Sequence, residues 1–268
     1  DFAENNSDAP TYLTVTTADE LTQAIANATA DVTIFLGDNI TGNATAVQKE
    51  NVKVTIIGNQ KTYNGAIIVD GKSKRYATAG LTIQNISFSA ENISEPAYIN
   101  LGKSGNGNTR YTNNVTVKDC TFSTTSTKDV AAVKSYTGGD WNLNISGCTV
   151  NEGMHSMLQV ANVEKGLNIA GCKVYSKNGI NLNNTPSLEM EGCTFDTKGY
   201  AIRVGVNGNT NNGVFNISNS TLKSDCEDDD AVIILRGNMA GSTLNLTNTT
   251  VTGTLQYTNE SNATIKVM

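Results

Sequence analysis

The chain has 268 residues and a formal net charge of −6, a balance that excludes nucleic acid as an expected partner because no basic stripe accompanies it. It has no apolar run of about 18 residues, so no membrane span is expected. The 24 glycines and 3 prolines suit many tight corners in one elongated domain, since glycine adopts the left-handed backbone freely.

The N-terminal region differs from the rest of the chain. Residues 1–10 are polar, and we predict a flexible tether over residues 1–12. Thr17 and Glu20 form a capping box in front of apolar residues at helical spacing, which predicts a helix over about residues 18–28. We assign residues 13–50 to an N-terminal cap, because the open end of a repetitive fold exposes apolar core unless something covers it.

An eight-residue pattern then recurs: apolar, polar, apolar, two small or polar residues, a small residue, polar and apolar. Its alternation is that of a short strand, a corner and a second short strand, and it lacks helical spacing. Successive copies start 34, 28, 24, 21, 27 and 29 residues apart. The seven copies occupy residues 81–88, 115–122, 143–150, 167–174, 188–195, 215–222 and 244–251.

A third apolar segment follows most copies, which gives three short strands per coil and about eight or nine coils over residues 51–268. From residue 52 onward this pattern resembles the pectin-lyase-like superfamily of right-handed parallel β-helix proteins. The resemblance implies an all-β solenoid with an N-terminal capping helix. It also implies a secreted or cell-surface protein of bacterial, adhesin-like type, which we expect to be a monomer. The third segments lie at residues 66–69, 98–101, 131–133, 158–160, 180–182, 202–204 and 232–235.

Four of the five cysteines occupy one position of the repeat. The same position holds Ile86, Ser220 and Thr249 in other copies, so we predict a reduced, buried packing column. Disulfides between neighbours are the alternative, although parallel side chains rarely reach the required torsion. No Cys-x-x-Cys pair indicates a zinc site, and Cys226 in an acidic loop is expected to be exposed. The column consists of Cys120, Cys148, Cys172 and Cys193.

The resemblance places a functional site on the outer face of the sheet built by the third segments. Strand alternation predicts one outward column with Asn100, Ala132, Gln159, Asn181 and Arg203, and a second with Lys134, Asn183 and Arg236. Trp141 follows in a loop, either as a sugar-stacking aromatic or as part of the core. His155 precedes an outward strand and is more typical of a surface residue than of a catalyst. The candidate ligand-binding residues are Asn100, Lys134, Trp141, Gln159, Asn181, Asn183, Arg203 and Arg236.

Three functions remain open from the sequence. The predicted face lacks the two carboxyl groups that glycoside hydrolysis needs, so non-catalytic binding of a polysaccharide is the first hypothesis. The second is a polyuronate lyase that uses Arg203, Arg236 or Lys134, with Ca²⁺ held by Asp228, Asp229 and Asp230. The third is a structural surface rod. The loops at 71–79 and 103–114, with Tyr76 and Tyr111, are expected to wall one end of a groove.

Overall fold

The computed structural model of the chain describes residues 11–47, 51–69, 80–102, 112–135, 140–205 and 210–268. Residues 1–10 of the predicted tether lie outside the described residues. The same holds for residues 71–79 and 103–111 of the two predicted loops, which include Tyr76 and Tyr111.

The described residues form 29 strands and one α-helix, with a short 3₁₀ turn at Glu227–Asp229. In chain order the elements are β1 (Thr11–Val15), α1 (Ala18–Asn27), β2 (Val32–Leu36), β3 (Ile40–Thr41), β4 (Ala44–Ala46), β5 (Val54–Ile57), β6 (Thr62–Asn64), β7 (Ile67–Val69), β8 (Gly80–Gln84), β9 (Ser87–Ala90), β10 (Ala97–Leu101), β11 (Thr112–Lys118), β12 (Thr121–Thr124), β13 (Ala131–Ser135), β14 (Asp140–Ser146), β15 (Thr149–Val150), β16 (Ser156–Ala161), β17 (Gly166–Ala170), β18 (Lys173–Val174), β19 (Asn178–Asn183), β20 (Ser187–Glu191), β21 (Thr194–Thr197), β22 (Ile202–Val204), β23 (Val214–Ser218), β24 (Thr221–Ser224), β25 (Ile233–Leu235), β26 (Thr243–Thr247), β27 (Thr250–Thr252), β28 (Tyr257–Asn259) and β29 (Thr264–Val267).

These strands make three parallel sheets that wind as a right-handed β-helix, which confirms the predicted fold class. The first sheet has 11 strands and runs from β1 to β29. The second sheet runs from β3 to β27 and the third sheet from β4 to β28, with 9 strands each. Each coil adds one strand to every sheet, so β2 to β28 make nine complete coils, while β1 and β29 extend the first sheet. Coils stack about 4.8 Å apart, the spacing of hydrogen-bonded strands.

Helix α1 covers the N-terminal end of this stack. The Glu20 N–H donates to Thr17 Oγ1 at 3.1 Å, as the capping box predicts. The Glu20 carboxylate accepts from the Thr16 N–H at 2.6 Å, and this bond is the main reason why the pKa of Glu20 is lowered. Leu21 and Ile25 are fully buried, so the helix packs its apolar face against the core.

The solenoid begins earlier in the chain than the sequence pattern indicated. Strand β1 starts at Thr11, inside the segment predicted as a tether. Strands β2, β3 and β4 form a complete coil before residue 51, in the region predicted as the cap. The cap therefore consists of β1 and α1, because residues 32–46 already pair in register with the following coil.

The corner between the first two sheets takes a left-handed backbone in coil after coil. Only glycine adopts this conformation without strain, and Asn and Asp tolerate it better than other residues. This requirement explains the Gly or Asn that recurs in the middle of the repeat. The corner residues and their φ angles are Asn85 (55°), Asp119 (52°), Gly147 (62°), Gly171 (60°), Gly192 (62°), Asn219 (50°) and Asn248 (46°).

Stacking places equivalent side chains above one another, so the core consists of columns. Phe88 and Phe122 stack with ring centroids 5.1 Å apart and an interplanar angle of 1°. Tyr63 of the preceding coil packs on Phe88, and Tyr98 packs beside both phenylalanine rings. Parallel in-register strands thereby bury one continuous apolar interior, which no single coil could form alone.

The cysteine column is buried and all its thiols are free. Each sulfur contacts the carbonyl oxygen two residues earlier, and the hydroxyls of Ser220 and Thr249 donate to the equivalent carbonyls. Cys, Ser and Thr therefore exchange at this position because each offers a small side chain with one donor. The sulfur–oxygen distances are 3.3 Å for Cys120, 3.4 Å for Cys148, 3.5 Å for Cys172 and 3.4 Å for Cys193.

Thiol labelling at neutral pH should distinguish Cys226 from the column. Cys226 is half-buried and not fully exposed as predicted. Burial acts to raise its pKa, but hydrogen bonding with Leu255, Thr254 and Ser224 lowers it overall. In the column, hydrogen bonding with Cys120 raises the pKa of Cys148 to about 12, while the pKa of Cys120 is lowered, so burial is what protects that thiol. We expect an aromatic disulfide reagent to modify Cys226 rapidly and the four column thiols only after unfolding. Rapid modification of two or more thiols in the native protein would contradict the buried column.

Candidate functional site

The outer face of the third sheet carries a polar column over four successive coils, from β13 to β22. Lys134 pairs in register with Asn100 and with Gln159, Gln159 pairs with Asn181, and Asn181 pairs with Arg203. We call Lys134, Gln159, Asn181 and Arg203 the polar column. Each coil thus contributes one amide or cationic side chain to it.

Lys134 belongs to this column and not to the second one, where strand alternation placed it. Ala132, which was predicted as the outward residue, is buried in the core beside Val133. Where the second sheet turns into the third, two consecutive residues face inward. If alternate residues are counted from the apolar ones, the predicted outward position is therefore wrong by one residue at such a corner.

Arg203 is held in place by neighbours on both sides. Its guanidinium carbon lies 4.3 Å from the centroid of the Tyr200 ring, a cation–π geometry. Its Nε donates to Asn181 Oδ1 at 3.4 Å. Tyr200 is itself buried in a small cluster with Ala231 and Ile234, so the arginine rests on a rigid platform on the outer face.

The acidic loop after β24 distributes its carboxylates among cations of several coils. Asp228 lies 3.4 Å from Lys177, and Asp225 lies 3.0 Å from Lys198. Burial raises the pKa of Asp230, while Arg203, the Tyr200 backbone and Arg236 act to lower it. The loop therefore brings a carboxylate within electrostatic range of Arg203, which the strand pattern alone did not show.

This arrangement does not suit Ca²⁺ at the predicted position. Calcium takes six to eight oxygen ligands around one point, whereas Asp228 and Asp230 interact with different cations, Lys177 and Arg203. Nothing is described of the Asp229 side chain. In the described part of the chain, no three His, Cys, Asp or Glu side chains group as metal ligands.

His155 joins the polar column through Gln159. Its Nδ1 lies 2.9 Å from Gln159 Nε2, and its Nε2 lies 3.8 Å from Asp129 Oδ2. Burial is the main cause that lowers the pKa of His155; Lys177, Arg203 and Lys134 lower it further, and Asp129 opposes them. The imidazole is therefore neutral at neutral pH. The sequence offered only a weak signal for this role, a single histidine before an outward strand.

Two predicted ligand-binding residues are not on the surface. Trp141 is fully buried in the core, so the prediction of an exposed stacking aromatic is wrong for it. Asn100 lies next to the polar column but is also fully buried, and its amide donates to the Ala97 carbonyl at 2.7 Å. Neither side chain can contact a ligand on the outer face.

The remaining two predicted residues lie farther along the strands. Asn183 pairs with Ala161 and is half-buried. Arg236 Nε lies 3.6 Å from Glu260 Oε2. Both flank the polar column at the carboxyl ends of their strands, where they can extend a binding surface but do not contribute to the column itself.

A cavity of about 290 Å³ lies next to His155, where the second sheet turns into the third. Corner segments of four successive coils line it. We call it the corner pocket; its lining residues are Ser126, Thr127, Lys128, Asp129, Glu152, Gly153, Met154, His155, Tyr175, Lys177 and Lys198.

Comparisons with known proteins assign the chain to no family. No protein-family model and no curated protein matches the chain. No helix of the described residues is both long and apolar enough to cross a bilayer. Among solved structures, the chain is similar to one described as "L. reuters 100-23 SRRP", with a TM-score of 0.48 and 16% identity over 96% of each chain. A likeness at this level transfers no function.

Proposed function

We propose that the protein binds an acidic polysaccharide along the outer face of the third sheet, without cleaving it. The polar column carries this proposal, because Lys134, Gln159, Asn181 and Arg203 stand in register on successive coils. A polymer lying parallel to the solenoid axis meets one such side chain about every 4.8 Å. We further propose that the protein works as a monomer outside the cell, secreted or on the surface.

The chemistry of the column suits sugar hydroxyls and acidic groups. Amide side chains offer both donors and acceptors to hydroxyls, and the two cations at its ends offer charge-assisted bonds to carboxylates. Tyr200 and Asn181 already orient Arg203. Binding therefore costs less side-chain entropy at this arginine than at a mobile one.

The positions of the carboxylates favour binding without hydrolysis. Glycoside hydrolysis needs a carboxylic acid and a second carboxylate on either side of the bond. The polar column and the residues in register with its two ends, Asn100 and Ile234, include no carboxylate. Carboxylates near this face pair with its cations: Asp230 interacts with Arg203 and Arg236, and Glu260 lies 3.6 Å from Arg236. This pairing favours binding over a role as the two catalytic carboxyl groups.

Affinity electrophoresis in gels containing polygalacturonate, alginate or a neutral dextran tests the proposal. We expect retardation by at least one acidic polymer, and we expect Arg203→Ala to weaken it about tenfold, because arginines are among the residues that dominate binding energy at interfaces. Lys223→Ala is the matched control, since Lys223 pairs with Asp196 on the second sheet at 3.2 Å. The control should bind like the wild type.

Three results would count against this function. Equal weakening in Arg203→Ala and Lys223→Ala would show charge attraction without a site on the third sheet. Retardation by dextran as strong as by the acidic polymers would contradict the acidic ligand. An unsaturated uronate product, detected by its ultraviolet absorbance, would replace binding by lyase activity.

A further inference from the structure

The corner pocket is separate from the polar column but connected to it through one residue. Gln159 belongs to the column and contacts His155 Nδ1 at 2.9 Å, and His155 lines the pocket. The cavity of about 290 Å³ is at the lower limit of the roughly 300–1,000 Å³ of sites for drug-sized ligands. It therefore suits one sugar ring and not a stretch of polymer.

The electrostatics next to His155 favour an anion. Lys177 is on the corner segment after β18, Arg203 is on β22 and Lys134 is on β13, and all three act on the imidazole as positive charges. Among the charges that shift the pKa of His155, Asp129 from the segment after β12 is the carboxylate that opposes these three cations. Glu152 also lines the pocket, and Asp228 and Asp225 pair with Lys177 and Lys198. At the ring itself three cations act against Asp129, so a carboxylate close to the imidazole would meet positive charge there.

The pocket also offers donors in suitable places. Because the Gln159 amide contacts Nδ1, the proton of the neutral imidazole resides on Nε2. The Asp129 carboxylate at 3.8 Å from Nε2 is beyond hydrogen-bond range, so a ligand oxygen can accept from this N–H. Lys177 and Lys198 are each positioned by one aspartate of the acidic loop, and an ammonium has three donors.

An aromatic side chain completes the lining. Tyr175 is half-buried and lies on the same wall as Lys177. Sugar rings present an apolar face of C–H groups that packs on an aromatic ring, while the polar rim of the sugar bonds to charged residues. One aromatic ring, lysines and an imidazole donor together offer an apolar face and charge-assisted donors to a single acidic sugar.

We propose that the corner pocket binds one uronic acid unit, as a branch or an end of the polymer on the polar column. The sugar would pack against Tyr175, its carboxylate would lie beside Lys177 and Lys198, and a ring oxygen or hydroxyl would accept from His155 Nε2. The identity of the larger ligand rests on the proposed function, whereas binding of the single sugar to the pocket does not.

His155 makes the test unusually direct, because the chain has one histidine and its imidazole NMR signals need no assignment. A pH titration would be recorded for the protein alone, with sodium glucuronate and with methyl glucoside. We expect glucuronate to raise the pKa of His155 by about half a unit, because a nearby anion favours the imidazolium. By linkage, glucuronate then binds about threefold more tightly when His155 is protonated.

Variants locate the effect in the pocket. Lys177→Ala and Tyr175→Ala should each abolish the glucuronate-induced shift, and Lys223→Ala on the second sheet should retain it. Lys177 is half-exposed, so its replacement leaves the core intact, which circular dichroism would verify. A shift that persists unchanged in Lys177→Ala would overturn the assignment of the carboxylate to this pocket.

The outcomes also separate this inference from the proposed function. If glucuronate leaves the His155 signals unchanged while acidic polymers still bind in an Arg203-dependent way, the pocket proposal fails and the column proposal stands. If the monosaccharide binds in the pocket while no polymer is retarded, the reverse holds. An equal response to methyl glucoside would overturn the preference for an acidic sugar.

Discussion

Replacement of Trp141 by alanine is expected to lower the free energy of unfolding by about 3–5 kcal/mol, the range for loss of a buried large aromatic. The indole is fully buried among the core residues. Its removal leaves a void that stacked coils cannot close, because each coil is fixed by hydrogen bonds to two neighbours. Urea unfolding followed by far-ultraviolet circular dichroism measures the change.

Trp141→Phe is the matched variant for the same position. The indole Nε1 has no hydrogen-bond partner among the described residues, so phenylalanine removes a buried donor while it keeps much of the ring. We expect a smaller loss of stability than in Trp141→Ala, and polysaccharide binding like the wild type. A stable Trp141→Phe protein that no longer binds acidic polymers would show that the indole reaches the ligand.

Gly179→Ala is the second substitution with a large expected effect. It should lower the free energy of unfolding by about 3 kcal/mol or more, at or beyond the upper range for overpacking. An alanine Cβ at this position would lie 2.0 Å from the Ala201 carbonyl oxygen and 2.8 Å from Phe195 Cδ1. The first of these atoms is backbone of the next coil. The contact can be relieved only if two coils separate locally, which lengthens the hydrogen bonds between β19 and β22.

Gly80→Ala provides the control for this prediction. The nearest atoms to a Cβ at Gly80 are 3.8 and 3.9 Å away, which is ordinary contact. We expect the free energy of unfolding to change by no more than about 0.5 kcal/mol, as for typical surface substitutions. Equal stability of Gly179→Ala and Gly80→Ala in urea unfolding would contradict the close approach of β19 and β22.

The local pattern of the sequence was sufficient to predict the fold, because the surroundings of each strand repeat from coil to coil. The alternation in residues 143–150, for example, determines which side chains face inward, and parallel stacking applies the same choice to the next coil. The start of α1 followed from Thr17 and Glu20. The cysteine column followed from its exchange with Ser220 and Thr249, and in the structure its four side chains are buried and form no disulfide.

The candidate site was only partly predictable, for two physical reasons. Lys134 was assigned to the wrong column because two consecutive residues near the start of β13, Ala132 and Val133, both lie in the core. Trp141 was a candidate ligand contact because an aromatic near a loop has the same sequence signature whether it faces water or the core. In both cases the residue type was known from the sequence. The direction of its side chain near the end of a strand was not.

The sequence by itself determined the β-helix and the course of its coils, and it placed Gln159, Asn181 and Arg203 in one outward column. These features depend only on neighbours along a strand and on a repeating register. Only the tertiary structure brought Asp230 to Arg203 and His155 to Gln159 and the corner pocket. Such contacts join corners and loops of different coils. Their geometry is set by how the coils stack and turn, which the alternation within a strand does not encode.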